Sequence, residues 1–220
     1  MVRRRRGPRP PICHALGFAG WWLENQIRAC FTGAVSSSPS APLQQLAVKI
    51  DGFFDRVMQR HPTDMQCASG CADCCMVELS VTAAEAAAVT ALVAALATEV
   101  RDGLGARARA AAPSVGTDAA PAPDRCCALD ENNRCSIYAA RPIVCRSHGV
   151  PVRLGGTRPE DITSCHRNFT ARGPAAADAD CVLDQTLLSA MLLTINRAGG
   201  HGDDRRTLRD VIADATRRPR

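Results

Sequence analysis

Apolar residues recur at three- and four-residue intervals in four stretches of the chain, the signature of helices with one buried face. In the first, Leu43, Leu46, Ala47, Ile50, Phe53, Phe54, Val57 and Met58 share a face over residues 43–60. Pro42 suits the first turn of that helix, where its missing N–H has no intrahelical partner to lose, and Pro62 follows its end. A second stripe of Val89, Leu92, Val93, Leu96 and Val100 predicts a helix over residues 83–101, continuing toward 110 past Gly103 and Gly105. Thr82-Ala-Ala-Glu85 fits a capping box at its start. Leu183, Leu187, Leu188, Met191, Leu192 and Ile195 form a third face, with Asp180 as the expected cap and Gly199-Gly200 as the stop. A final helix places Leu208, Val211, Ile212 and Ala215 inward behind Asp203 as cap.

Between these stripes the chain loses its period. Residues 67–75 read as an irregular loop or a short helical turn, and residues 112–124 as a Pro- and Ala-rich linker. Asp130-Glu-Asn-Asn133 is a turn by composition. Ser136–Ala140 predicts one helical turn and Arg141-Pro142 opens another. Residues 147–164 carry Gly149, Pro151, Gly155, Gly156 and Pro159 and read as loop, with a short hairpin around Val150–Leu154. The expected fold is mainly α: a small helical domain with irregular Cys-rich metal-binding loops. Residues 1–42 read as a disordered basic leader, and residues 43–217 as a single helical domain.

Charge narrows the partners. The chain of 220 residues has a net charge of +5. Residues 1–42 hold six Arg and one acid, Glu24, whereas the remaining basic and acidic residues balance. The folded part therefore has no electrostatic footprint for phosphates, and no nucleic-acid partner is expected for it. No run reaches the roughly 18 apolar residues of a membrane span. The N-terminal Arg run is followed by a weakly apolar stretch broken by Glu24 and Asn25, a poor secretion signal. The expected compartment is the cytoplasm, where thiols stay reduced.

Cysteine is the informative residue, with twelve in the chain. Cys67, Cys71, Cys74 and Cys75 fall within nine residues. Cys126, Cys127, Cys135 and Cys145 form a second concentration, and Cys165 follows. Thiolates are soft anionic ligands that suit Zn²⁺ and iron–sulfur clusters, and four complete one centre. C-x3-C-x2-C lets three sulfurs of one loop converge, so further ligands must come from a distant segment. The spacing matches neither a zinc finger nor a ferredoxin, which leaves Zn²⁺ and an iron–sulfur cluster both open, and one centre or two. The expected ligands are Cys67, Cys71, Cys74, Cys75, Cys126, Cys135, Cys145 and Cys165. Cys127 is a weaker candidate; Cys13, Cys30 and Cys181 read as bystanders, Cys181 as a small buried hydrophobe at a helix start. His148 and His166 are additional donors, while His14, His61 and His201 have no constellation around them. Arg141 and Arg146 either donate N–H groups to ligand sulfurs or form a plain salt bridge. Tyr138 reads as packing.

The motif Cys67-x3-Cys71-x2-Cys74-Cys75, followed by Cys126-x8-Cys135-Ser-Ile-Tyr138-x2-Arg141-Pro142-x2-Cys145-Arg146, resembles the YkgJ-type family of zinc- or iron-chelating CxxxCxxCC domains. The resemblance covers about residues 65–170. Cys127 departs from it, standing where the family has Pro, as does Ser147-His148 after Cys145-Arg146. The resemblance implies a small metal- or cluster-binding protein with no assigned reaction. A related Cys motif occurs in the flagellin lysine methylase, which keeps open a protein-modifying enzyme or oxidoreductase that uses the Cys-ligated centre. No phosphate-binding loop, GxGxxG or Ser-His-Asp pattern accompanies it. An exported, disulfide-stapled interaction module is the third reading.

Overall fold

A computed structural model describes residues 40–110 and 125–217, which lie within one compact unit, Ser37–Arg220. The expectations for residues 1–39, including Cys13, Cys30 and His14, and for the linker 112–124 lie outside the described residues.

Six α-helices among the described residues carry the fold: α1 Ala41–Arg60, α2 Ala83–Ala95, α3 Thr98–Ala110, α4 Ile143–Ser147, α5 Gln185–Ala198 and α6 Leu208–Ala215. The mainly α class is borne out. Five two-residue strands join them: β1 Ser80–Val81, β2 Val152–Arg153, β3 Ile162–Thr163, β4 Leu183–Asp184 and β5 Arg206–Thr207. β1 pairs antiparallel with β5; β2 lies between antiparallel β3 and parallel β4. The expected hairpin over 150–154 is therefore a wider one, closing on Ile162–Thr163.

α1 begins on Pro42 and buries Leu43, Leu46, Ile50 and Val57, as its stripe predicts. The Thr82 capping box forms in full: the Thr82 hydroxyl accepts from Glu85 N–H, and the Glu85 carboxylate accepts from Thr82 N–H at 2.9 Å. The helix it starts does not run through to 110. It ends at Leu96, whose extended backbone (ψ 150°) turns the chain into α3. Gly103 and Gly105 lie inside α3. Gly105 permits close packing, since a Cβ there would stand 2.5 Å from Thr216 Oγ1 at the end of α6.

Two caps fall later than predicted. α5 is capped by Asp184, which accepts from Leu187 N–H at 2.9 Å, and α6 by Thr207, which accepts from Asp210 N–H at 3.0 Å. Asp180 and Asp203 instead pair with Arg60 and Arg197. On α5 the buried residues are Leu188, Leu192 and Asn196, while Leu187 and Met191 face outward.

Three apolar clusters form the core. Val81, Val89, Val93, Leu104, Ile137, Leu208, Val211 and Ile212 join α2, α3 and α6. Leu43, Leu46, Ile50, Ile143, Leu188 and Leu192 join α1, α4 and α5. Val57, Met65, Val150, Phe169 and Cys181 lie beneath the segment that carries Cys67. Each large side chain buried in this way contributes about 1.5–3 kcal/mol.

Candidate metal centre

The first Cys stretch leaves α1 through a tight exit. Met65 N–H donates to His61 C=O, and the chain then meets the turn at residues 165–169. Phe169 N–H donates to Asp64 C=O at 2.8 Å, and Gln66 N–H donates to Asn168 Oδ1 at 2.8 Å. These bonds bring Cys165 to Cys67 across a hundred residues of chain. Cys71 sits on a turn closed by its own N–H to Ala68 C=O, and Asp73–Cys75 form one 3₁₀ turn.

The second stretch docks on the end of the first, where Cys126 N–H donates to Cys75 C=O at 2.7 Å. A bridge between Leu129 and Cys135 folds residues 126–135 back on themselves. The Asp130–Asn133 turn makes this possible: Asp130 Oδ1 accepts from Asn132 and Arg134 N–H, and Asn133 adopts φ +57°. Arg107 clamps the fold from α3, donating to Cys127 C=O at 3.1 Å and to Ser136 Oγ at 3.2 Å. Cys145 rides on α4, whose first N–H (Ile143) donates to Glu85 Oε1 at 3.0 Å.

The eight predicted thiols are all half-buried, and all ten cysteines among the described residues are free. Burial raises the Cys67 thiol; a hydrogen bond from Asn168 Nδ2 at 3.3 Å lowers it, and negative charge at Cys165, Cys71 and Cys74 raises it again. Burial also pushes Cys135 up to about 11 and Cys145 up to about 12, each further raised by neighbouring thiols that include Cys126 and Cys74. Cys74 and Cys75 lie Sγ to Sγ at 3.8 Å, with Cys74 lowered by the hydrogen bond and Cys75 raised by it. Cys126 is likewise lowered by a hydrogen bond with Cys127. Cys67, Cys71 and Cys165 thus lie in one electrostatic neighbourhood, and Cys75, Cys126, Cys135 and Cys145 in another. Cys74 acts on both.

Of the other candidates, Cys127 is buried in the core with Ala128. Exposed His166 faces Asp73 at 3.1 Å, and His148 is exposed. Arg146 directs its guanidinium to Asp51 at 2.5 Å and to the carbonyls of Arg141 and Ala139, which makes it a clamp. Arg141 stacks on the Tyr138 ring at 4.0 Å and donates to Asp51 at 3.0 Å. Its Nε–H is buried and makes no hydrogen bond among the described residues. Its positive charge lowers Cys74, Cys135 and Cys145. The donor chemistry fits a thiophilic metal: soft, reduced sulfurs within the electrostatic range of a cation.

One residue group was not predicted. Among the described residues, His61, Asp178 and Cys181 each bring a ligand atom within 4.8 Å of the other two. His61 therefore has a constellation, and Cys181 ends a 3₁₀ turn rather than starting a helix. His61 is more than a hundred positions from Asp178 and Cys181, so no spacing signal points to the group.

Residues 66–166 match the family model CxxCxxCC, described as "Putative zinc- or iron-chelating domain". The match bears out the family resemblance, and the matched segment contains all eight predicted thiols. Comparison with curated proteins and with solved structures gave no match. No helix among the described residues is long and apolar enough to cross a membrane.

Proposed function

We propose that residues 66–166 bind zinc or an iron–sulfur centre through thiolates drawn from Cys67, Cys71, Cys74, Cys75, Cys126, Cys135, Cys145 and Cys165. The observation that carries this reading is a set of eight free thiols on separate segments that hydrogen-bond to one another through their backbones, inside the stretch that matches a zinc- or iron-chelating domain. Cys67, Cys71 and Cys165 form one set of donors, and Cys75, Cys126, Cys135 and Cys145 a second. Cys74 is within electrostatic reach of both. A bound centre of this kind supplies structural cross-linking or electron transfer.

The chain's own residues do the rest. Asn168 fixes Cys67 by its amide, Glu85 fixes α4 and hence Cys145, and Arg141 offsets thiolate charge. Clustered thiols stay reduced in the cytoplasm, and we assign the protein to that compartment.

Anaerobically purified protein is expected to contain Fe or Zn by elemental analysis. A brown chromophore identifies iron–sulfur, and colourless metal-containing protein identifies zinc. C74S and C135S should lose metal. Protein with no Fe or Zn that keeps its fold in chelator would contradict the reading, and a thiol titration showing oxidised pairs would point to a disulfide-stapled module instead.

A further inference from the structure

His61, Asp178 and Cys181 lie outside the family-matched segment and are not among the eight thiols. His61 closes α1, Asp178 caps the 3₁₀ turn Ala179–Cys181, and Cys181 ends it. His61 and Cys181 are buried, at 6% and 0% exposure, while Asp178 is open to solvent. The imidazole is held in orientation. Its Nδ1 stands 3.9 Å from the carboxylate of buried Asp64, which Arg172 holds in turn at 2.5 Å. Its ring packs against Phe169 with centroids 5.3 Å apart. Nε2 is the lone-pair nitrogen, because it accepts a backbone N–H. That Nε2 accepts the Asp178 N–H at a long 3.3 Å and lies 3.7 Å from Asp178 Oδ2.

We propose that these three side chains are a binding site for one divalent cation of the zinc class, ligated by His61 Nε2, Cys181 Sγ and an Asp178 carboxylate oxygen. The set mixes thiolate, imidazole and carboxylate, which borderline-soft Zn²⁺ accepts and the hard cations Mg²⁺ and Ca²⁺ do not. Zinc bonds of about 2.0–2.3 Å in a tetrahedron put ligand atoms roughly 3.3–3.8 Å apart. The ligand atoms here are already within 4.8 Å of one another, so a small closure completes the geometry. Exposed Asp178 gives an entry path from solvent, and a water would complete the four ligands. Binding gives up the long Asp178 N–H bond, and the Cys181 thiol proton leaves to solvent. Arg60, which donates to Asp178 at 3.1 Å, also holds Asp180 at 3.2 Å and keeps that partner when Asp178 turns. The cation would staple residues 178–181 to the end of α1.

The test is zinc content of the full chain after equilibration with micromolar Zn²⁺, measured beside C181S and D178N. Wild type is expected to carry one more equivalent than either variant. C74S and C135S report on the thiol sets alone and should retain that equivalent. Far-UV circular dichroism checks folding, and D178N, changed at an exposed position, serves if C181S does not fold. Equal zinc in wild type, C181S and D178N overturns the site, whatever C74S and C135S do.

Discussion

Cys67 is held by two residues that follow it by some eighty and a hundred positions. Gly149 has φ +103°, and a Cβ there would stand 2.8 Å from Cys67 Sγ and 3.3 Å from Asn168 Nδ2. Asn168, buried, donates to Gly149 C=O at 2.7 Å and to Cys67, and accepts from Gln66 N–H. G149A is therefore expected to lower stability by about 1–3 kcal/mol through left-handed backbone strain alone, and to displace the sulfur. Urea unfolding of wild type and variant measures the first effect. Metal content measures the second, with a lower yield expected for G149A; an unchanged midpoint and metal content would remove Gly149 from this role. Cys135 and Cys145 give the metal-free chain a pH-dependent contribution whose sign is set. Burial raises Cys135 and Cys145 from an unfolded value of 9.0 to about 11 and about 12. The native state therefore holds those two protons more tightly than the unfolded chain. This stabilisation is present in full below about pH 9 and is lost as pH rises through 11 and 12. Thermal melts of metal-free protein from pH 7 upward should show a midpoint that falls beyond pH 9. C135S should flatten that fall. The thiol motifs were legible in the sequence because ligand type and local spacing are residue properties. The supports Gly149 and Asn168 were not, because only the folded chain brings them to Cys67.

At the scale of elements, local signals held and non-local ones moved the boundaries. The capping box at Thr82 and the Pro42 start of α1 act over one turn, and both appear where the sequence predicts them. Asp180 and Asp203 were plausible caps by type. Strand pairing of Leu183–Asp184 with β2 and of Arg206–Thr207 with β1 keeps those residues extended, so each helix begins after its strand. Glu85 shows how one cap reaches a second element. Its Oε2 serves Thr82 N–H and hydroxyl, and its Oε1 accepts the first N–H of α4. E85A removes a cap worth about 0.5–2 kcal/mol and strands a buried N–H worth about 1–3 kcal/mol, for a combined loss of roughly 1.5–5 kcal/mol. The Ile143 amide should exchange faster in E85A, which separates loss of the α4 tie from loss of the cap alone. Asp51 has a parallel role between α1 and α4, since it pairs with both Arg141 and Arg146. D51A leaves the mostly buried Arg146 without its counter-ion and is expected to cost about 3–5 kcal/mol, read from chemical denaturation. A loss below 1 kcal/mol would mean that the backbone carbonyls around Arg146 suffice.

Across the whole molecule, the thiol segments run between two of the core clusters. The cluster of α2, α3 and α6 packs against residues 126–140, while the cluster under Phe169 packs against residues 65–67. The run from Cys71 to Val77 between them buries Ala72 and leaves Met76 and Val77 exposed. Its backbone is held by isolated turn bonds, such as Cys71 N–H to Ala68 C=O and Cys75 N–H to Ala72 C=O. A segment with so little apolar burial opens locally at low cost unless something else fixes it. In the proposed function that fixing is metal ligation, so stripping the metal should affect one region first. Hydrogen exchange of chelator-treated protein should show early loss of protection at the amides of Cys71, Cys75 and Cys126. The α1 and α5 amides, backed by Leu46, Ile50, Leu188 and Leu192, should stay protected longer. Melting of treated protein should then separate into two steps where the loaded protein shows one. If those three amides exchange at the same rate with and without chelator, the thiol loops hold themselves, and ligation is not what closes them.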